Sequence, residues 1–315
     1  MSAVELGPKS ITVAGGEFAT VADYFALLKP RVMSLVLFTG IAGLALAPVH
    51  IPLATAFTAL VCIAAGAGAS GALNMAYDSD IDAIMTRTKG RPVPQGHLTA
   101  SDAAAFGTVL AVGAVTTMGL LVNLAAAGLL AFTIGFYVFV YTLWLKRRTP
   151  QNIVIGGLAG ALPPAIGWAA ATGSLAIPPL VLVAIVFLWT PAHFWALALY
   201  RTEDYARAGV PMLPVVAGKG QTRRQIVIYA ALAVTSGFAP LALGFAGLVY
   251  LAANAGIGGW FLVQSIFVAC ECDVEREPQA RRLFGVSILY LFALFAAILV
   301  EQAAGIAPFA PLTAG

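Results

Sequence analysis

Long apolar runs alternate with short polar ones along the whole chain. Nine of the runs, near 32–48, 52–73, 103–121, 124–145, 153–171, 177–199, 226–243, 249–270 and 283–301, hold few or no charges. Each is long enough to read as a membrane-spanning helix. The stretch 226–270 as one helix would measure about 66 Å, about twice the hydrocarbon core, so it folds back, and Gly244 and Gly247 mark the place. The pattern predicts an all-α polytopic membrane protein of nine transmembrane helices.

Composition agrees: 60% of residues are hydrophobic and 10% charged, against about a quarter charged in soluble domains. The seventeen Lys and Arg sort by interval. They occupy the N-terminal arm (Lys9, Lys29, Arg31), then 87–91, 146–148, 201–224 and 276–282, while the turns near 49–51, 122–123, 172–176 and 244–248 have none. By the positive-inside rule the N-terminus is cytoplasmic and, after nine spans, the C-terminus is outside. Eight spans would put Arg276, Arg281 and Arg282 on the wrong face. The expected organisation is an arm at 1–31, a single transmembrane domain at 32–301 and an outer tail at 302–315.

The net charge of +3 is thus a topology signal, with no basic run suited to nucleic acid. The first thirty residues lack an apolar signal-peptide core, so the first span is expected to act as its own insertion signal, which favours a bacterial plasma membrane. Cys62 falls mid-span, and Cys270 and Cys272 lack zinc-site spacing. All three read as inert thiols.

Two of the polar intervals on the positively charged side, 77–102 and 200–225, are long enough to suggest function. In the first, Asn74, Asp78 and Asp82 recur every four residues. A continuing helix turns about 40° per such step, so the three share one face and Asp80 points away. Like charges at this spacing destabilise a helix, and a divalent cation would remove the repulsion. An all-oxygen donor set suits Mg²⁺, which completes its shell with water and phosphate. Arg87, Lys89 and Arg91 follow on a turn shaped by Gly90, Pro92, Pro94 and Gly96. Cations beside a metal site suit a polyanionic ligand, and the whole reads as a metal–diphosphate site.

The second interval repeats the theme with Glu203, Asp204 and Tyr205 among Arg201, Arg207 and Lys219. Within the spans, His193 is expected to line a substrate pocket, and Pro191 to kink its helix. Trp195 reads as an interfacial belt residue, Glu301 as reaching the outer interface, His97 as surface, and Ser101 with Asp102 as helix N-caps.

"NMAYDSDIDAIMTRTKGRPVPQG" (74–96) resembles the Asn-x₃-Asp-x₃-Asp signature of the UbiA superfamily of membrane prenyltransferases. The stretches "DYFALLKPRVMSLVLFTG" (23–40), "RRTPQNIVIGGLAGALPPAIGW" (147–168), "WTPAHFWALALYR" (189–201) and "DYARAGVPMLPVVAG" (204–218) resemble its haem-prenylating branch. Quinone-pathway relatives usually carry a second Asp-x₃-Asp motif, whereas here Asp204 is followed by Ala208. That leaves the ligand set of a second Mg²⁺ open.

The resemblance implies a bundle of nine helices around a central cavity, capped on the cytoplasmic side by the two loops. It implies transfer of the farnesyl group of farnesyl diphosphate to a vinyl group of haem B, with water addition, haem being a substrate. Mg²⁺ would sit on Asn74, Asp78 and Asp82, with Arg87, Lys89 and Arg91 stabilising the leaving diphosphate. Arg31, Lys146, Asn152, His193, Asp204 and Tyr205 are the expected substrate-binding residues. Beyond the substrates and the lipid bilayer, haem A synthase or a terminal-oxidase assembly is an expected partner. A prenyltransferase acting on a quinone or chlorin precursor is the alternative reading. A transporter would hold its ions near the bilayer midplane, not at a cytoplasmic edge.

Overall fold

A computed structural model describes residues 19–273 and 275–311. Lys9 and much of the expected arm, with the last residues of the expected tail, lie outside them. Every regular element among the described residues is helical. Eight helices are long and apolar enough to cross a membrane, and a ninth span results if the bent pair Val21–Leu27 and Pro30–Ala45 counts as one.

That pair, α1 (Val21–Leu27) and α2 (Pro30–Ala45), turns by 53° between its halves. Thr20 caps α1 through a capping box with Asp23. Lys29, in the break, adopts a left-handed backbone (φ 53°), and Pro30 follows as the first residue of α2. A side chain in that region costs about 1–3 kcal/mol and persists only where its surroundings hold it.

α3 (Leu53–Tyr77) and α4 (Ser79–Ile84) are separated by Asp78 alone. Hydrogen bonding carries across, from Asp78 N to Asn74 O and from Asp82 N to Asp78 O, so the helical path continues with a slight hitch. α5 (Ala100–Leu121) starts earlier than the apolar run does: its N-cap is Thr99, and Asp102 closes the capping box from inside the helix. The expectation of Ser101 and Asp102 as caps is corrected accordingly.

α6 (Leu124–Gly135) passes without interruption into a π-helical stretch, Phe136–Leu145. The fifth span is broken into α7 (Asn152–Ala161) and α8 (Pro163–Thr172), because Pro163 and Pro164 offer no N–H to the preceding turn. The break lets α8 press on α2: a Cβ on Gly43 would collide with the Pro164 backbone, and one on Gly167 with the Gly40 carbonyl. Glycine is what permits the backbones to approach so closely.

α9 (Ile177–Leu199) runs through Pro191 as one helix. α10 (Thr202–Arg207) and α11 (Leu213–Val216) form the second long loop. α12 (Gly218–Ser236) and α13 (Ala239–Ala242) lead to a turn at Gly244 (φ 76°), where the fold-back was expected. α14 (Leu248–Ala253), a π-helical Asn254–Gly258 and α15 (Gly259–Ala269) make the return, and α16 (Pro278–Ala304) closes the bundle.

Two apolar cores result. One packs α9, α12, α14, α15 and α16 around Trp195, Tyr250 and Tyr290. The other packs α3, α5, α6 and α8 around Ile63, Met118, Leu130 and Ile166. Two expectations fail in the first. Trp195 is 1% exposed and stands edge-on to Tyr229, a core residue and not a belt residue. Glu301 is buried, accepting the backbone N–H groups of Gly247 and Tyr250 at 2.8 Å each. The first turn of α14 has N–H groups without helical partners, and a carboxylate from α16 satisfies two of them.

Candidate active site

At the charged end of the bundle Asn74, Asp78 and Asp82 are all buried, whereas Asp80 points outward and is held by Arg147 at 2.7 Å. The one-faced arrangement read from their spacing is thus present. Around the buried face stand four cations from three separate stretches. Lys29 Nζ donates to Asn74 Oδ1 at 2.7 Å. Lys146 Nζ donates to Asp78 Oδ2, and Arg147 lies 3.7 Å from Asp78 Oδ1. Arg91 donates to Asp82 Oδ2 at 2.5 Å. Asn74 turns its amide N–H groups to Asp78 Oδ2 (2.6 Å) and Thr142 Oγ1 (3.3 Å). The Arg147 hydrogen bond holds the Asp80 carboxyl below its usual range.

The π-helical stretch explains how Lys146 reaches the site. At about 100° per residue, an ordinary α-helix would set Tyr137 and Lys146 on opposite faces. Here Lys146 N bonds Tyr141 O, five residues back at 2.9 Å, and the wider turn brings both side chains inward. π-Helical insertions of this kind occur frequently at functional sites.

The second loop closes over the first. Thr86 Oγ1 donates to Asp204 Oδ1 at 2.9 Å, and Arg207 bonds both Asp204 and Thr86. Ile81, Met85, Ile153, Tyr205, Val210 and Met212 form an apolar seam beneath this clasp. Burial raises the Asp204 carboxyl, but the bonds from Thr86 and Arg207 outweigh it and the net shift is downward. Burial pushes the Tyr205 hydroxyl up, with Arg87 beside it opposing the shift.

Four buried side-chain oxygens among the described residues have no hydrogen-bond partner: Asp78 Oδ1, Asn152 Oδ1, Asp204 Oδ2 and the Tyr250 hydroxyl. Three of the four belong to residues singled out in the sequence, and all three are acceptors only. Buried oxygens without donors are rare in folded proteins and call for an explanation; a metal ion or a donor on a ligand provides one. No cluster of three or more His, Cys, Asp or Glu side chains suited to a metal occurs among the described residues. Mg²⁺ does not require one, since one or two carboxylates with phosphate oxygens and water suffice.

Below the acidic face lies an apolar cavity of ≈ 130 Å³. Lys29 and Ser70 are at its polar mouth, with Val36, Ile63, Leu130 and Ile166 deeper in. Lys29 belongs to both the cavity and the acidic cluster.

The remaining expected residues are dispersed. Arg87 and Lys89 are exposed at the rim, and Arg31 is exposed on the first turn of α2. His193 lies in the seam between α9 and α16, stacked between Trp189 and Phe284 with ring centroids 4.4 Å apart on each side. Its Nδ1 is 2.7 Å from Ser287 Oγ, and it does not line the cavity. Sequence reasoning missed the roles of Thr142 and Thr86, for which no local signal exists. It also missed the Lys29–Asn74 contact, for which the Lys-Pro pair was the available hint.

The UbiA prenyltransferase family model matches residues 36–288. A protoheme IX farnesyltransferase from Parvibaculum lavamentivorans is 59% identical over 292 residues, 92% of each chain. A solved structure of digeranylgeranylglyceryl phosphate synthase superposes with a TM-score of 0.74 at 18% identity, covering 90% of this chain and 99% of that one. A UbiA homologue from Archaeoglobus fulgidus, bound to DMAPP and Mg²⁺, superposes with a TM-score of 0.64 at 17% identity over 88% and 99%. At such identities the structural likeness speaks for the fold alone.

Proposed function

The chain belongs to the UbiA prenyltransferase family, and on that premise we propose that it transfers the farnesyl group of farnesyl diphosphate to a vinyl group of haem B. Water is added in the reaction, and the products are haem O and diphosphate. The carrying observation is the buried acidic face, with acceptor oxygens lacking donors amid a surplus of cations, opening onto an apolar cavity. The match to a protoheme IX farnesyltransferase supports the choice of donor and acceptor.

The donor set fits Mg²⁺: oxygen ligands only, with Asp78 Oδ1 buried and without a hydrogen-bond donor. Asp78 and Asp82 are the ligands we assign. Asn74 has one lone pair of its oxygen on Lys29 and holds Asp78 in position through its amide, and the second lone pair would let it assist the metal. The metal, when bound, supplies Lewis-acid neutralisation of the diphosphate. A homologue's structure with DMAPP and Mg²⁺ supports this assignment.

The chain's own residues do the rest. Lys29, Arg91, Lys146 and Arg147 stabilise the charge that collects on the diphosphate as its bond to farnesyl C1 breaks and the electron pair departs with it. Arg87 and Lys89, at the rim, receive the diphosphate on entry. Val36, Ile63, Leu130 and Ile166 take up the hydrocarbon tail of the farnesyl group. The vinyl carbon of haem attacks C1, positive charge passes to the neighbouring carbon, and water adds there and loses a proton. Asp204, Tyr205 and Asn152 hold the cap closed over the reacting ends. His193, through the ring edge away from Ser287, and Arg31 and Arg201 are proposed to meet the haem. The charge distribution supports an active site facing the cytoplasm, on a single domain spanning 32–301, and the match to a relative from Parvibaculum lavamentivorans supports a bacterial inner membrane.

The test uses purified protein with haem B, farnesyl diphosphate and Mg²⁺, with products read by mass. Haem gaining farnesyl plus water is expected, and its loss on EDTA addition and in Asp78→Ala. Unmodified haem from folded protein, with turnover of an aromatic acceptor, would overturn the haem assignment and keep the family.

A further inference from the structure

A second hollow lies beside the apolar cavity: a groove on the membrane-facing surface lined by Ala111, Val112 and Val115 of α5 and by Ile134, Gly135 and Phe139. Val112 and Phe139 are 61% and 66% exposed there, so the groove faces lipid. Ile134 lines both hollows. Its side chain reaches across to α3, where a Cβ on Gly66 would come within 3.2 Å of it. Gly135 next to it adds no side chain to the partition. Ile134 therefore stands between the cavity and this lipid-facing groove.

Depth gives the partition its meaning. Gly66 lies eight residues beyond Asn74 along α3, about 12 Å from it at ~1.5 Å per residue. Ile63, on the cavity's far wall, lies about 16 Å away by the same measure. A farnesyl chain, twelve carbons along its backbone, fills a space of that depth when its diphosphate sits on the acidic face. A fourth isoprene unit would have to pass the end wall. Ile63, Leu130 and Ile166 are buried by the core behind them, so nothing there yields. At Ile134 the far side is open.

We propose that Ile134 sets the prenyl-chain length this protein accepts, as a one-residue wall between the chain-binding cavity and a lipid-facing groove. The proposal rests on the prenyl-transfer reading above. Removing the wall joins cavity to groove and lets a longer chain run out into lipid; the hydrophobic tail loses nothing there, since the bilayer is as apolar as the cavity.

The test compares wild type, Ile134→Ala and Ile134→Met with 15-carbon and 20-carbon prenyl diphosphates and haem B as acceptor. The ratio of 20-carbon to 15-carbon product is expected to rise at least tenfold in Ile134→Ala and to stay near wild type in Ile134→Met. Should Ile134→Ala fail to fold, Ile134→Val is expected to shift the ratio in the same direction by less. Thermal stabilisation by each diphosphate without haem gives a second readout, in which the 20-carbon chain gains on the 15-carbon chain in the alanine variant. That readout survives a wrong acceptor and so separates failure of the wall from failure of the reaction. An unchanged ratio in both readouts with folded Ile134→Ala, or a wild type that takes both chains equally, would overturn the proposal.

Discussion

Two helices of this bundle begin the same way. Lys29 precedes Pro30 at the start of α2, Glu277 precedes Pro278 at the start of α16, and both have left-handed backbones, φ 53° and 50°. Each is charged, and each is held by a contact far along the sequence. The contacts differ in completeness. Both Glu277 oxygens accept from Arg223 at 2.9 Å, Lys219 stands 3.2 Å away, and the carboxylate is fully buried. Lys29 makes one bond, to an asparagine whose neighbour Asp78 retains an oxygen without a donor. Burial of charge alone does not separate the two places, since Glu277 is fully buried and Lys29 is half-buried beside the buried Asn74 and Asp78. Completion of the carboxylate does: with both oxygens filled, Glu277 ties α12 to α16, and an oxygen left without a donor at Asp78 marks a place prepared for something the chain itself does not provide.

The largest effect is expected at Glu277. Removing one partner of a buried ion pair costs about 3–5 kcal/mol, so Glu277→Ala should unfold at markedly lower temperature in detergent, while protein that remains folded keeps its turnover. Retained stability, or selective loss of prenyl transfer, would erase the distinction between the two starts. Lys29 sharpens it. Glycine adopts the left-handed region without steric cost, so Lys29→Gly removes the ammonium and the strain together, and Lys29→Ala keeps the strain. Lys29→Gly should be the more stable of the two by about 1–2 kcal/mol, and both should lose turnover by about tenfold or more, the worth of a charge-assisted hydrogen bond. Equal stability would show that the strain is not felt. The smallest effect is expected at the clasp between the loops. Thr86→Val removes a hydrogen bond to Asp204 worth about 1 kcal/mol, and should appear as weaker diphosphate binding with little change in melting temperature.

The parts legible in the sequence were those set by the solvent. Hydropathy placed the spans and the fold-back at Gly244, because a lipid interior admits little besides long apolar helices. The face of Asn74, Asp78 and Asp82 was legible because its spacing is that of the helix itself. What stayed hidden depends on which apolar face turns inward, and lipid tails are as apolar as leucine. Trp195 could not be told from a belt residue, nor Glu301 from an interfacial one, until α12, α14 and α16 were packed. The meeting of Thr86 with Asp204 spans 118 residues, and nothing local to either announces it. The break at Pro163 was written in the prolines, but a continuous apolar run concealed it.

The π-helical stretch carries a consequence for insertions and deletions. Losing a single residue between Phe136 and Leu145 would leave the segment as greasy as before and just as able to cross a bilayer. The five-residue bonds would become four-residue ones and absorb that loss, but losing a further residue, or gaining one, would turn all that follows by about 100°. Lys146 would then face hydrocarbon, and Asp78 would lose its strongest counter-charge. Here the count of residues, more than their identity, keeps a positive charge aimed inward.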